Sequence, residues 1–159
     1  MGHRSETDMI TSIIELERIR AECLKLVTKR SWLAAGAAVV PVPGADIVAD
    51  ISLLSTMLPE ISKRFELSHE QVKKLEPHLA EKVLVMASSM GNNVIGRTVT
   101  KRVVTMLLKR VGKRVATASV AKYVPLVGSA LAAAVGFGAM RLVGKSHVED
   151  CYRTAKSLI

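Results

Sequence analysis

Aromatic side chains are nearly missing from this chain: Trp32, Phe65, Phe137, Tyr123 and Tyr152 are all it has. Its core must be filled by Ala, Val, Leu, Ile and seven Met, which suits helices packed close together. Strand-like alternation of apolar and polar residues persists nowhere, so the expected class is all-α. Cysteine is scarce too. With only Cys23 and Cys151, and no secretory signal at the start, the expectation is a reducing, cytoplasmic compartment rather than a disulfide scaffold. A full membrane span is also missing: the longest uncharged run, Val124 to Met140, has 17 residues, short of the ~20 a spanning helix needs.

The absence with the largest consequence is one of charge. From Lys82 to Val148 there are 11 Lys or Arg and no Asp or Glu. The remainder carries 12 basic and 14 acidic residues and sits at −2, so the net charge of +9 comes wholly from that block. Such asymmetry points to an anionic partner: a lipid surface, an acidic protein or a nucleic acid. The block holds only Tyr123 and Phe137 as aromatics, too few for a single-strand stacking platform, and nucleic acid is set aside.

A chain of 159 residues is most simply one domain, 1–159, with 1–7 as a frayed lead. Asp8 to Arg30 reads as a helix, with acids early and bases late in keeping with the helix dipole, and continues in small apolar residues to Val40. Pro41, Pro43 and Gly44 then force an elbow. Ala45 to Phe65 lines Ile47, Val48, Ile51, Leu54, Leu58, Ile61 and Phe65 along one face, and Pro59 is expected to kink or divide it. Ser68 and Gln71 have the spacing of a capping box, which starts a short helix. Pro77 ends that helix or starts its successor, which runs from His78 to about Met90, and Gly91-Asn92-Asn93 breaks the chain.

Arg97 to Ala121 is strongly amphipathic: Val104, Leu107, Leu108, Val111 and Val115 form one face, opposite Arg102, Lys109 and Lys113. A second elbow at Pro125 and Gly128 leads into a small-residue helix. There Gly128, Ala132, Gly136 and Gly144 recur at four-residue spacing around Met140 and draw a stripe that lets another helix come close. A last amphipathic helix carries Val148, Cys151, Tyr152, Ala155 and Leu158. The two elbows share a Val-Pro-x-x-Gly-small frame. The expected architecture is therefore a single helical domain of about six to eight helices with two Pro–Gly-bent hairpins.

Gly91 to Thr98 resembles a phosphate-binding loop with Arg97 in place of the Lys, but it follows a helical pattern and reads as an interhelical loop. Asp46 and Asp50 lie one turn apart near a helix start, where the dipole favours carboxylates; the alternatives are a paired contact with basic residues of the other half or a metal ligand pair. His147 and Cys151, also one turn apart, read as packing at a surface helix end. No catalytic motif, third metal ligand or cofactor motif accompanies these residues, so no enzyme, metal or cofactor is expected. The membrane- or anion-binding candidates are Arg97, Lys101, Arg102, Lys109, Arg110, Lys113 and Arg114, among which three adjacent basic pairs follow one another with no acid between.

The segment KRSWLAAGAAVVPVPGADIVADISLLSTMLPEISKRFEL, followed by VAKYVPLVGSALAAAVGFGAMRLV, resembles the C-terminal helical domain of the immunity-related GTPases. It is also similar to the bacterial GTPase-linked helical families related to YcjF and EcsC. The likeness rests on Pro41, Pro43, Gly44, Asp46 and Asp50, then Pro125 and Gly128. It implies a membrane-associating or interaction module coupled to a GTPase, here a separate one, since the family's P-loop does not carry over onto Gly91–Thr98. The expectation is a non-enzymatic module that docks on anionic membranes through its basic block, peripheral to the membrane, and homo-oligomerises through its small-residue helices. The alternative is an adaptor for an acidic protein such as a separate GTPase or cargo. A third reading is an effector that inserts its apolar hairpins into a bilayer.

Overall fold

The computed structural model describes residues 13–37, 45–118 and 128–159, with the side chains of 13–36, 49–111 and 136–159. It contains α1 (Ile13–Ala37), α2 (Ala45–Arg64), a single turn α3 (His69–Val72), α4 (Pro77–Ser89), α5 (Lys101–Ala118) and α6 (Gly128–Lys156). Among the described residues there is no strand. The class is all-α, with five helices and one helical turn. The elbows expected at Pro41–Gly44 and at Pro125 lie outside the described residues; Gly128 is the first residue of α6.

Residue pairs across the seams give the topology. Arg20 meets Glu149, Val27 meets Gly144 and Trp32 meets Phe137, so α1 runs antiparallel to α6. Asp50 lies by Gly136, Met57 by Gly144 and Ser62 by His147, so α2 runs parallel to α6. Both α1 and α5 pack against this α2–α6 pair. The closest approach is at Gly144. A Cβ there would sit 2.7 Å from Val27 Cγ1 and 2.9 Å from Met57 Cε, so only glycine lets α6 lie this near α1 and α2. At Gly136 the nearest group is the Asp50 carboxylate at 3.6 Å, an ordinary contact, and Met140 between them is fully buried. Ala132 is on α6, with its side chain outside the described set.

Local chemistry sets the element ends. α2 continues through Pro59, which removes one backbone donor without dividing the helix. It closes when the Leu67 N–H reaches back to the Ser62 carbonyl and the Glu66 N–H to that of Lys63, with Glu66 at φ 59°. α4 ends in the same motif, with Gly91 at φ 71° in the left-handed position. The Ser68–Gln71 capping box is present, and Pro77 is the first residue of α4.

Two expected boundaries differ. α5 starts at Lys101 rather than Arg97, because Gly91 to Thr100 is held as an ordered connection. The small-residue helix and the last amphipathic helix are one 29-residue helix, since Gly144 serves a close contact and not a break. This merger reduces the expected six to eight helices.

Candidate functional site

Two arrangements concentrate chemistry, and they differ in access to solvent. The first is buried. Asn92 Oδ1 accepts the backbone N–H groups of Val94 and Ile95, at 2.8 and 3.1 Å, which fixes the amide orientation. Its Nδ2 therefore donates both ways, to Asp150 Oδ2 at 2.9 Å and to His147 Nδ1 at 3.1 Å. With Nδ1 accepting, the neutral imidazole carries its proton on Nε2 and points it at Ser62 Oγ, 2.9 Å away. Cys151 Sγ lies 3.6 Å from the same nitrogen.

Ser62, His147 and Cys151 are all buried, which corrects the expectation of a surface helix end at His147. Burial pushes the His147 pKa down to about 4 and the Cys151 thiol up; Asp150 is raised by the same cause. Burial also lifts the other thiol, Cys23, to about 11. The arrangement ties α2, the α4–α5 connection and α6 together through polar bonds that are buried at Ser62, His147 and Asn92 and reach the half-buried Asp150. Among the described residues no group of three or more His, Cys, Asp or Glu has a metal-holding arrangement.

Most backbone donors of the connection from Gly91 to Thr98 are in use. Besides the Val94 and Ile95 groups, Gly96 N–H bonds the Leu67 carbonyl and Arg97 N–H that of Val94. His69 Nδ1 donates to the Gly96 carbonyl at 3.0 Å. The loop is an interhelical strut, and the donors of Val94, Ile95, Gly96 and Arg97 bond within the protein rather than being left for a phosphate.

The second arrangement is open. Val104 and Val111 are buried in the core, and Val103, Leu107 and Leu108 pack against it, so α5 turns its other face outward. That face carries Lys101, Arg102, Lys109 and Arg110, all exposed, with half-exposed Met106 among them. None of these four cations forms an ion pair with a described carboxylate. Arg97, in the connection just before, is exposed, and its guanidinium bonds Asn93 Oδ1 and Ser88 Oγ among the described residues. Lys113 and Arg114 are on α5, with side chains outside the described set.

The placement runs against the helix's own stability. α5 has no acid in its first turn and opens with Lys101 and Arg102, where the dipole disfavours cations by ~0.3–1 kcal/mol each. Thr100 offsets part of this by accepting the Val103 N–H at its hydroxyl.

On the α1–α6 seam, Trp32 is 66% exposed although its ring lies against Phe137, with centroids 4.8 Å apart. A groove lined by Leu24, Lys25, Thr28, Lys29 and Trp32 opens along α1 beside it. Helical periodicity identifies the α5 face, because it is local. It gives no signal for the Trp32–Phe137 pair or the Asn92–His147 network, whose members lie far apart in the chain. Among the described residues no helix is long and apolar enough to cross a membrane. No family model, curated protein or solved structure matches the chain.

Proposed function

We propose that this protein is a peripheral membrane-associating helical module that docks on anionic bilayers through the outer face of α5. The supporting observation is the set of exposed cations Arg97, Lys101, Arg102, Lys109 and Arg110, which no described carboxylate neutralises. Each cation held near an anionic surface contributes ~1 kcal/mol, and several acting together give measurable binding that fades as salt screens it. The resemblance to the helical domain of the immunity-related GTPases points the same way and adds a separate GTPase as a protein partner.

Sedimentation with vesicles tests the reading. Binding to phosphatidylserine-containing vesicles, absent on pure phosphatidylcholine and lost as salt rises, is the expected result. Replacing Lys101, Arg102, Lys109 and Arg110 together by Gln removes most of it while far-ultraviolet circular dichroism stays unchanged. Undiminished binding by that variant overturns the proposal. Failure of the wild type to bind any vesicle favours the second reading, in which the same face meets an acidic protein. Salt-resistant binding with dye leakage marks bilayer insertion instead.

A further inference from the structure

We infer that Trp32 and Phe137, at the α1–α6 seam, form an interfacial anchor that enters the headgroup region of an anionic bilayer. The inference rests on the membrane reading above and names a second contact, on a different helix pair.

In a chain with five aromatic residues, the only tryptophan is left two-thirds in water, whereas Phe65 is fully inside the core. Tryptophan is on average highly buried, so this exposure needs a reason. The indole N–H of Trp32 has no hydrogen-bond partner among the described residues, and Leu33 beside it is half-exposed. An aromatic ring with an apolar body and one free donor suits the boundary between lipid tails and headgroups.

The surroundings select anionic lipid over a purely apolar partner. The Arg141 guanidinium lies 5.8 Å from the Phe137 ring centre, one helical turn along α6. Lys29 and Lys25 stand one and two turns before Trp32 along the groove on α1. None of the three cations pairs with a described carboxylate, whereas Arg18, Arg20 and Arg30 of the same helix all do. Cations around an exposed tryptophan backed by a half-buried phenylalanine complement a surface that is negative at the headgroups and apolar beneath.

Because Trp32 is the only tryptophan, its fluorescence reports on this site alone. With phosphatidylserine-containing vesicles the emission maximum should move to shorter wavelength, and lipids brominated on the acyl chain should quench it. Trp32→Ala should lower the fraction sedimenting with those vesicles several-fold while leaving the circular dichroism unchanged. The wild-type fluorescence measurement stands even if that variant folds poorly.

Sedimentation with unshifted, unquenched emission overturns the anchor and leaves α5 docking intact. A shift and quenching that persist in the four-Gln α5 variant uphold the anchor and overturn α5 as the main contact. Absence of any vesicle binding overturns both. A blue shift that grows with protein concentration without lipid, matched by dimers in sedimentation equilibrium, overturns the anchor in favour of a second copy on this face.

Discussion

α1 and α5 both pack on the α2–α6 pair, yet the arginines of α1 are all paired while none of the described cations of α5 is. On α1, Arg20 grips Glu149 of α6 with contacts of 2.7 and 2.9 Å, and Arg30 lies 3.5 Å from Glu60 of α2, which Arg64 also holds. Tyr152 donates to Glu17 across the same seam, which lowers the Glu17 pKa. On α5 no such pairing exists among the described side chains. Compensated charges orient helices within the fold. Uncompensated ones at the start of a helix, as Lys101 and Arg102 are, work against it.

The seam is most easily broken at Gly144. Gly144→Leu forces a side chain into Val27 and Met57 and should cost ~3 kcal/mol, the upper end of ordinary overpacking. Gly136→Leu should cost less, since among the described residues a Cβ there meets the Asp50 carboxylate at an ordinary 3.6 Å. At Gly138 an added Cβ would meet nothing within 4 Å, so Gly138→Ala should gain up to ~1 kcal/mol through helix propensity. Urea denaturation of the three variants gives the order; a neutral Gly144→Leu would mean that α6 does not approach α1 as described.

The buried polar knot gives a comparable effect through pH. His147 titrates at about 4 in the folded protein against 6.5 unfolded, so the unfolded state takes up a proton first as pH falls. Stability should therefore be full above about pH 6.5, decline toward pH 4, and lose roughly 3 kcal/mol at most from this group. Asp150, whose pKa is raised, opposes the loss at the acid end, because there the folded state binds the extra proton. His147→Gln should flatten the pH profile of the urea midpoint between 6.5 and 4. An unchanged slope would assign the acid sensitivity elsewhere.

The smallest effect sharpens the contrast between the two flanking helices. Glu149→Gln, which leaves Arg20 without its main partner, should lower stability by ~0.5–1 kcal/mol, while Lys109→Gln should change it by less than ~0.5. Vesicle binding should respond in the reverse order. Equal stability losses at both positions would show that the α5 cations serve the fold after all.

Some of this was readable locally. The Ser68–Gln71 box and the α5 stripe arise from contacts three or four residues apart, which sequence spacing encodes directly. The continuity of α6 was not readable, because glycine is a weak helix former whose presence at Gly144 makes sense only beside Val27 and Met57. His147 was misplaced on the surface for a related reason: its partners Ser62 and Asn92 lie 85 and 55 residues away.

By itself the sequence determined the helical class, the Ser68–Gln71 cap and the confinement of positive charge to one block, since propensity, capping and charge are properties of short stretches. Only the tertiary structure decided which charges are neutralised, that Gly144 is a contact point and that a histidine is sealed inside. It also decided that the single tryptophan stands in water. Each of these depends on which distant segment arrives opposite, and that is set by packing α1 and α5 onto the α2–α6 pair.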